Sequence, residues 1–95
     1  MPTFKITPET VVVTSTYITR LGMPILYVSH EKDEDGGSLW QFHCGNNDYD
    51  ASKMQLVGLS TILKIDPAIT QIADLPIGYG ARRNSKESPW QTHRE

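Results

Sequence analysis

The sequence is poor in the features that would narrow its role at once. Among its 95 residues there is one cysteine, Cys44. An intrachain disulfide is therefore excluded, and the chain must fold without the cross-links that staple small secreted domains, which points to a reducing, cytoplasmic setting. The start, Met1-Pro2-Thr3-Phe4-Lys5, has no basic segment followed by an apolar one, and no apolar run approaches the roughly 20 residues needed to cross a bilayer. Export and membrane insertion are not expected. A basic excess is also missing: nine Lys and Arg against eleven Asp and Glu give a net charge of −2. Nucleic acid is a poor partner for such a chain, because general affinity for phosphates needs a surplus of cations on one face. Internal repeats and low-complexity tracts are lacking too.

What remains is an ordinary globular composition, 38% hydrophobic and 21% charged, enough apolar material for one core and too little for two. The reading is a single α+β domain over residues 1–82 and a polar C-terminal tail over 83–95 that Trp90 could anchor. Residues 2–10, with two prolines, form a leading arm or a short edge strand. From Val11 to Ile18 the β-branched and aromatic residues Val11, Val12, Val13, Thr14, Thr16, Tyr17 and Ile18 predict a strand. Arg20-Leu21-Gly22-Met23-Pro24 then predicts a hairpin turn, since glycine reaches positive φ and proline interrupts a ladder. Ile25 to His30 predicts a second strand and the charged Glu31 to Asp35, with Gly36-Gly37, a loop. In Ser38 to Cys44, Trp40, Phe42 and Cys44 share one face and Leu39, Gln41 and His43 the other, as a half-buried strand requires. Trp40 and Phe42 are the leading core candidates. The three strands are expected to form an antiparallel meander with one buried face.

The cover for that face follows the turn-rich segment Gly45 to Asp50. Leu59, Ile62 and Leu63 fall at helical spacing, predicting a short amphipathic helix from Leu59 to Ile65. Asp66-Pro67 suits a helix start: the carboxylate can accept from a free N–H of the first turn, and proline fits the first helical position. Ile69, Ile72 and Ala73 continue on one face, giving a second short helix that stops near Leu75-Pro76. Ile77 to Arg82 is expected as a last strand.

Three residues have the chemistry of metal ligands, His30, His43 and Cys44, but their spacing matches no recurrent zinc pattern, so no metal or other cofactor is expected. Cys44 has no basic neighbour or helix N-terminus to activate it and reads as a small buried apolar residue rather than a nucleophile. Gly78-Tyr79-Gly80 lacks the helix and lysine of a phosphate loop. The charges are unevenly spread. Residues 31–50 hold Glu31, Asp33, Glu34, Asp35, Asp48 and Asp50 against Lys32, whereas Arg82, Arg83, Lys86 and Arg94 face only Glu87 and Glu95 at the C-terminal end. If the fold gathers the six carboxylates near one edge, they make an acidic patch able to steer a basic protein partner; the alternative is a set of solvated loops that keep the protein soluble.

The ordered run of Gly22-Met23-Pro24-Ile25, an acidic loop closing on Trp40-Gln41-Phe42, Cys44-Gly45, Leu59 to Ile62, Asp66-Pro67, Leu75-Pro76-Ile77-Gly78 and Ala81-Arg82 resembles a small bacterial domain of unknown function. Some relatives of that domain are classed as immunity proteins of polymorphic toxin systems. The resemblance spans Val11 to Arg82 and rests on structural rather than catalytic motifs, so it brings no active-site residues to carry over. It implies a noncatalytic cytoplasmic protein that binds and neutralises a toxin domain, or a stand-alone relative with another partner; for a basic partner the acidic loop Glu31 to Asp35 is the natural contact, within the wider candidate set that includes Asp48 and Asp50. The rival expectation is a small-ligand-binding domain or enzyme that joins His30, His43 and Asp48 in a cleft. A homodimer formed by pairing exposed strand edges is a further possibility open to this composition.

Overall fold

The computed structural model describes residues 4, 6–46, 48 and 50–94. Six strands, β1 (Val11–Ser15), β2 (Tyr27–Lys32), β3 (Ser38–His43), β4 (Met54–Gly58), β5 (Tyr79–Arg82) and β6 (Gln91–Arg94), form one sheet in the order β4-β1-β3-β2-β5-β6. All neighbouring pairs are antiparallel except β1 with β3, which run parallel with Val13 opposite Gln41. Pro2, Thr3 and Lys5 of the leading arm, Asn47 and Tyr49 of the turn-rich segment, and the terminal Glu95 lie outside the described residues.

The α+β class agrees with the sequence, but the sheet is mixed and not an antiparallel meander. The departure begins at Thr16. There the β-branched run leaves the sheet and makes one helical turn, α1 (Thr16–Thr19), which buries Ile18. Strand propensity measures fit to a pleated, half-buried surface, and here the core contact of Ile18 outweighs it. Gly22, at φ 70°, closes the turn, with the Met23 N–H donating to the Tyr17 carbonyl at 3.0 Å. The expected hairpin at residues 20–24 is thus a crossover. It carries the chain past one strand position, and β3 returns from the β2–β3 hairpin to fill the gap beside β1.

Strand alternation sorts side chains to two faces. Val12, Val28, Trp40, Phe42 and Ala81 lie on one of them and are buried. Helix α2 (Leu59–Ile65) and the 3-10 helix Pro67–Ile72 cover that face, contributing Leu59, Ile62, Ile69 and Ile72 to a common core. Phe4 adds an edge-on ring against Trp40, with centroids 4.9 Å apart. Thr14, also buried on this face, donates its hydroxyl to the Phe42 carbonyl at 2.9 Å across the parallel pair, so it leaves no unmet polar group in the core.

The Asp66-Pro67 junction separates the two covering helices as their sequence suggests. Asp66 Oδ1 accepts from the Ala68 N–H at 3.0 Å, and Pro67 occupies the first position of the second helix, which winds as 3-10. The segment expected as a polar tail begins with a buried residue instead. Arg83 Nη2 donates to Asp66 Oδ2 in a buried ion pair, its Nε donates to the Ile25 carbonyl at 2.9 Å, and its Nη1 donates to the Lys86 carbonyl at 2.9 Å. The guanidinium also lies 4.3 Å from the centroid of the Trp90 ring. Beyond it, Gln91–Arg94 pair with β5 as the sixth strand.

If the helices cover the Trp40 face, truncations there are costly. Phe42→Ala should lose about 3–5 kcal/mol and Leu59→Ala about 2–5 kcal/mol of unfolding free energy. Leu21→Ser, at a position 69% exposed, should stay within about 0.5 kcal/mol. Urea unfolding of the three variants checks this, and similar losses at all three would contradict the layering.

Candidate functional site

The six carboxylates singled out by the sequence separate into two groups. Glu31 is the next-to-last residue of β2, and Asp33, Glu34 and Asp35 sit in the tight turn to β3, all four exposed. The Asp33 N–H donates to the Gly37 carbonyl at 3.0 Å and the Gly36 N–H to the Asp33 carbonyl at 3.1 Å, with Gly36 at φ 86°. That backbone geometry places the three acidic residues in one tight turn, and among the described residues none of them is in an ion pair. Asp48 and Asp50 lie past the other end of β3, about 20 Å away for a six-residue strand. The fold does not bring the two groups to one edge.

Asp48 and Asp50 are engaged locally. Asp48 Oδ2 accepts from the Tyr17 hydroxyl at 2.5 Å and its Oδ1 from the Asp50 N–H at 3.2 Å, while Asp50 Oδ1 accepts from the Ser52 N–H at 3.0 Å as the cap of the 3-10 turn Ala51–Lys53. The Tyr17 hydrogen bond, and then the Asp50 N–H, hold the Asp48 carboxyl below its ordinary value. In return the same hydrogen bond pushes the Tyr17 phenol up, since losing its proton would place two anions in contact.

The residues of the rival reading do not converge. His30 lies on the core face, stacked on Trp40 at 4.0 Å, and its Nδ1 is 2.7 Å from the Leu75 carbonyl. Donation to that carbonyl fixes the proton on Nδ1. His43 belongs to the opposite face of the sheet, and Asp48 is held by Tyr17 at the strand end. A cleft of about 480 Å³ is lined by His30, Trp40, Leu75 and Ile77 but not by His43 or Asp48. Cys44 is buried in the core, and among the described residues no three His, Cys, Asp or Glu side chains are placed to hold a metal ion.

The uncovered face carries an arrangement that sequence reasoning missed. Glu31 Oε2 accepts from Gln41 Nε2 at 3.1 Å, and Gln41 Oε1 is 2.9 Å from His43 Nε2. Burial pushes the His43 imidazole below its ordinary value. Next to it, Tyr27 stacks on His43 at 6.2 Å and on His93 at 6.4 Å, and the Arg82 guanidinium lies 4.5 Å from the Tyr27 centroid. A ladder of polar and aromatic groups therefore runs from the acidic hairpin across β3, β2, β5 and β6. The alternation of Tyr27, Ser29 and Glu31, out of phase with Val28 and His30, was the signal that could have shown the β2 part. The Arg82 and His93 part depends on pairings distant in sequence.

Removing the Asp48 charge should release Tyr17. In Asp48→Asn the Tyr17 phenol should titrate closer to its usual value of 10.0, followed through its ring resonances by NMR. The stabilisation that the Asp48 carboxylate supplies is fully present above the ordinary value of 3.8 and is lost as the pH falls from there through its lowered folded-state value. An unchanged Tyr17 titration in the variant would contradict the contact.

The family model described as the immunity protein Imm33 domain matches residues 11–94, nearly the whole of the six-stranded sheet and its cover. No match was found among curated proteins or solved structures. No helix among the described residues is long and apolar enough to cross a membrane. With the family model spanning most of its length, the chain belongs to the Imm33 immunity protein domain family.

Proposed function

We propose that this is a noncatalytic immunity protein that neutralises a toxin domain by binding it in the bacterial cytoplasm. The observation that carries the reading is the family match over residues 11–94, taken with a surface suited to contact rather than chemistry. The exposed carboxylates of Asp33, Glu34 and Asp35 in the β2–β3 turn, with Glu31 near the end of β2, attract a basic partner. Glu31 also joins the turn to the ladder of Gln41, His43, Tyr27 and Arg82, and Tyr and Arg are side chains that commonly anchor protein interfaces. The hairpin therefore steers and the open sheet face docks. Asp48 and Asp50 do not reinforce the hairpin's field, because at physiological salt a separation of about 20 Å exceeds the ~8 Å screening length.

The test pairs this chain with the product of the gene adjacent to its own and measures both protection of cells and binding kinetics. The triple reversal Asp33→Lys, Glu34→Lys, Asp35→Lys should slow association about tenfold or more at low salt and much less at high salt. Tyr27→Ala and Arg82→Ala should instead speed dissociation, each costing more than about 1 kcal/mol of affinity. Unchanged association by the reversed hairpin would discard steering. Failure of the unmodified chain to bind or protect would discard the function.

A further inference from the structure

We infer that β4 is the seam through which two copies of this chain pair, antiparallel about a two-fold axis, into one continuous sheet. β4 ends the sheet on its side. Its inner edge is filled by β1, from Val11 opposite Gly58 to Ser15 opposite Met54, and among the described elements no strand lies on its outer edge. Backbone N–H and C=O groups of Met54–Gly58 on that side point away from the protein, and such a row is a template for another extended chain unless it is guarded. The common guards are charge, proline, a bulge or very short length. Met54-Gln55-Leu56-Val57-Gly58 has no charge and no proline, and it pairs with β1 residue for residue without a bulge. The other end of the sheet differs: β6 is shorter, follows Pro89 and ends on the exposed Arg94. One edge is guarded and the other is bare.

The character of β4 selects a second copy as its occupant. Leu56, at the middle of the strand, is 68% exposed on the uncovered face, directly opposite Val13, and Val11 on the same face is 56% exposed. An antiparallel pair centred on Leu56 sets it against the second copy's Leu56, with Met54 opposite Gly58 and Gln55 opposite Val57. The two Val11, Val13 and Leu56 patches then join into one apolar strip across the axis, which withdraws side chains that the isolated chain leaves in water. Because the strand is uncharged, this register opposes no like charges. At the flank, Lys53, which precedes β4, lies 5.7 Å from the Tyr17 ring centroid and is attracted by Asp48 and Asp50, so its charge is met within its own chain rather than presented to the seam. The contact also extends the sheet without touching the acidic hairpin, which lies two strands away on the β2–β3 turn.

Light scattering of the full chain without any partner, from low to high micromolar concentration, tests this. The unmodified chain should approach twice the monomer mass. Leu56→Lys should stay monomeric, and Thr92→Lys on the β6 edge should dimerise as before. Leu56→Cys supplies a positive test that does not depend on disrupting anything: mild oxidation should yield a reducible covalent dimer, because directly opposed cross-strand residues lie within reach of a disulfide. A chain monomeric at every concentration overturns the inference, as does a dimer that Leu56→Lys leaves intact or a Leu56→Cys dimer that does not cross-link. A monomer whose β4 amides become protected from hydrogen exchange only when a toxin domain is added also overturns it, and assigns the edge to that partner.

Discussion

Arg83 and Asp66 form the contact on which the rest of the fold depends. Between them they tie the junction of the two covering helices to the entry to β2 at Ile25, which the β2–β5 ladder already sets beside Arg83, and to the C-terminal stretch through Lys86 and Trp90. Taking both charges out of water is expensive, and their attraction offsets that cost only if the remaining polar positions are also met. Here they are met by backbone. Asp66 uses its second oxygen as a helix cap, and Arg83 uses Nε and Nη1 on carbonyls, so the pair has one arrangement that satisfies it. Its effect is to fix where the helices break and where the last segment returns to the sheet, more than to add net stability.

Once the cover is pinned to the Trp40 face, the distribution of the remaining chemistry follows. The core residues Val12, Val28, Trp40 and Phe42 lie under the helices, and His30 is drawn in with them, stacked on Trp40 and bonded to Leu75. The other face of the sheet keeps Tyr27, Gln41, His43, Arg82 and His93, adjoining the acidic turn at one corner. The sheet separates His30 from His43 and His93, and the carboxylates of residues 33–35 lie on an exposed hairpin turn at one corner of the open face. The Imm33 immunity protein domain family model spans all of these elements, from Val11 to Arg94.

The parts of this fold that could be read from sequence are those with local causes. The helix Leu59–Ile65 and the cap at Asp66-Pro67 depend on spacing and on one carboxylate, and both stand as read. The phase of Trp40, Phe42 and Cys44 depends only on strand alternation. Features with distant causes were not legible. The run after Thr14 looked like more strand because its residues favour a pleat, and only the core waiting for Ile18 turns it into α1. β4 is short and lacks clean alternation, and β6 is polar throughout, so each becomes a strand only through its neighbour. Arg83 looked like surface because a buried arginine is rare without a partner, and its partner lies 17 residues earlier. The acidic hairpin was visible as a loop, but its distance from Asp48 and Asp50 is set by the length of β3.

A double-mutant cycle on Arg83 and Asp66, measured by urea unfolding, addresses the central claim most directly. Arg83→Met and Asp66→Leu should each destabilise by about 3–5 kcal/mol by leaving a buried charge unpaired, whereas the double variant should be far less impaired than the sum of the two. Losses that simply add would mean that the two side chains act independently, and the account of how the helical cover is fixed to the sheet would be wrong.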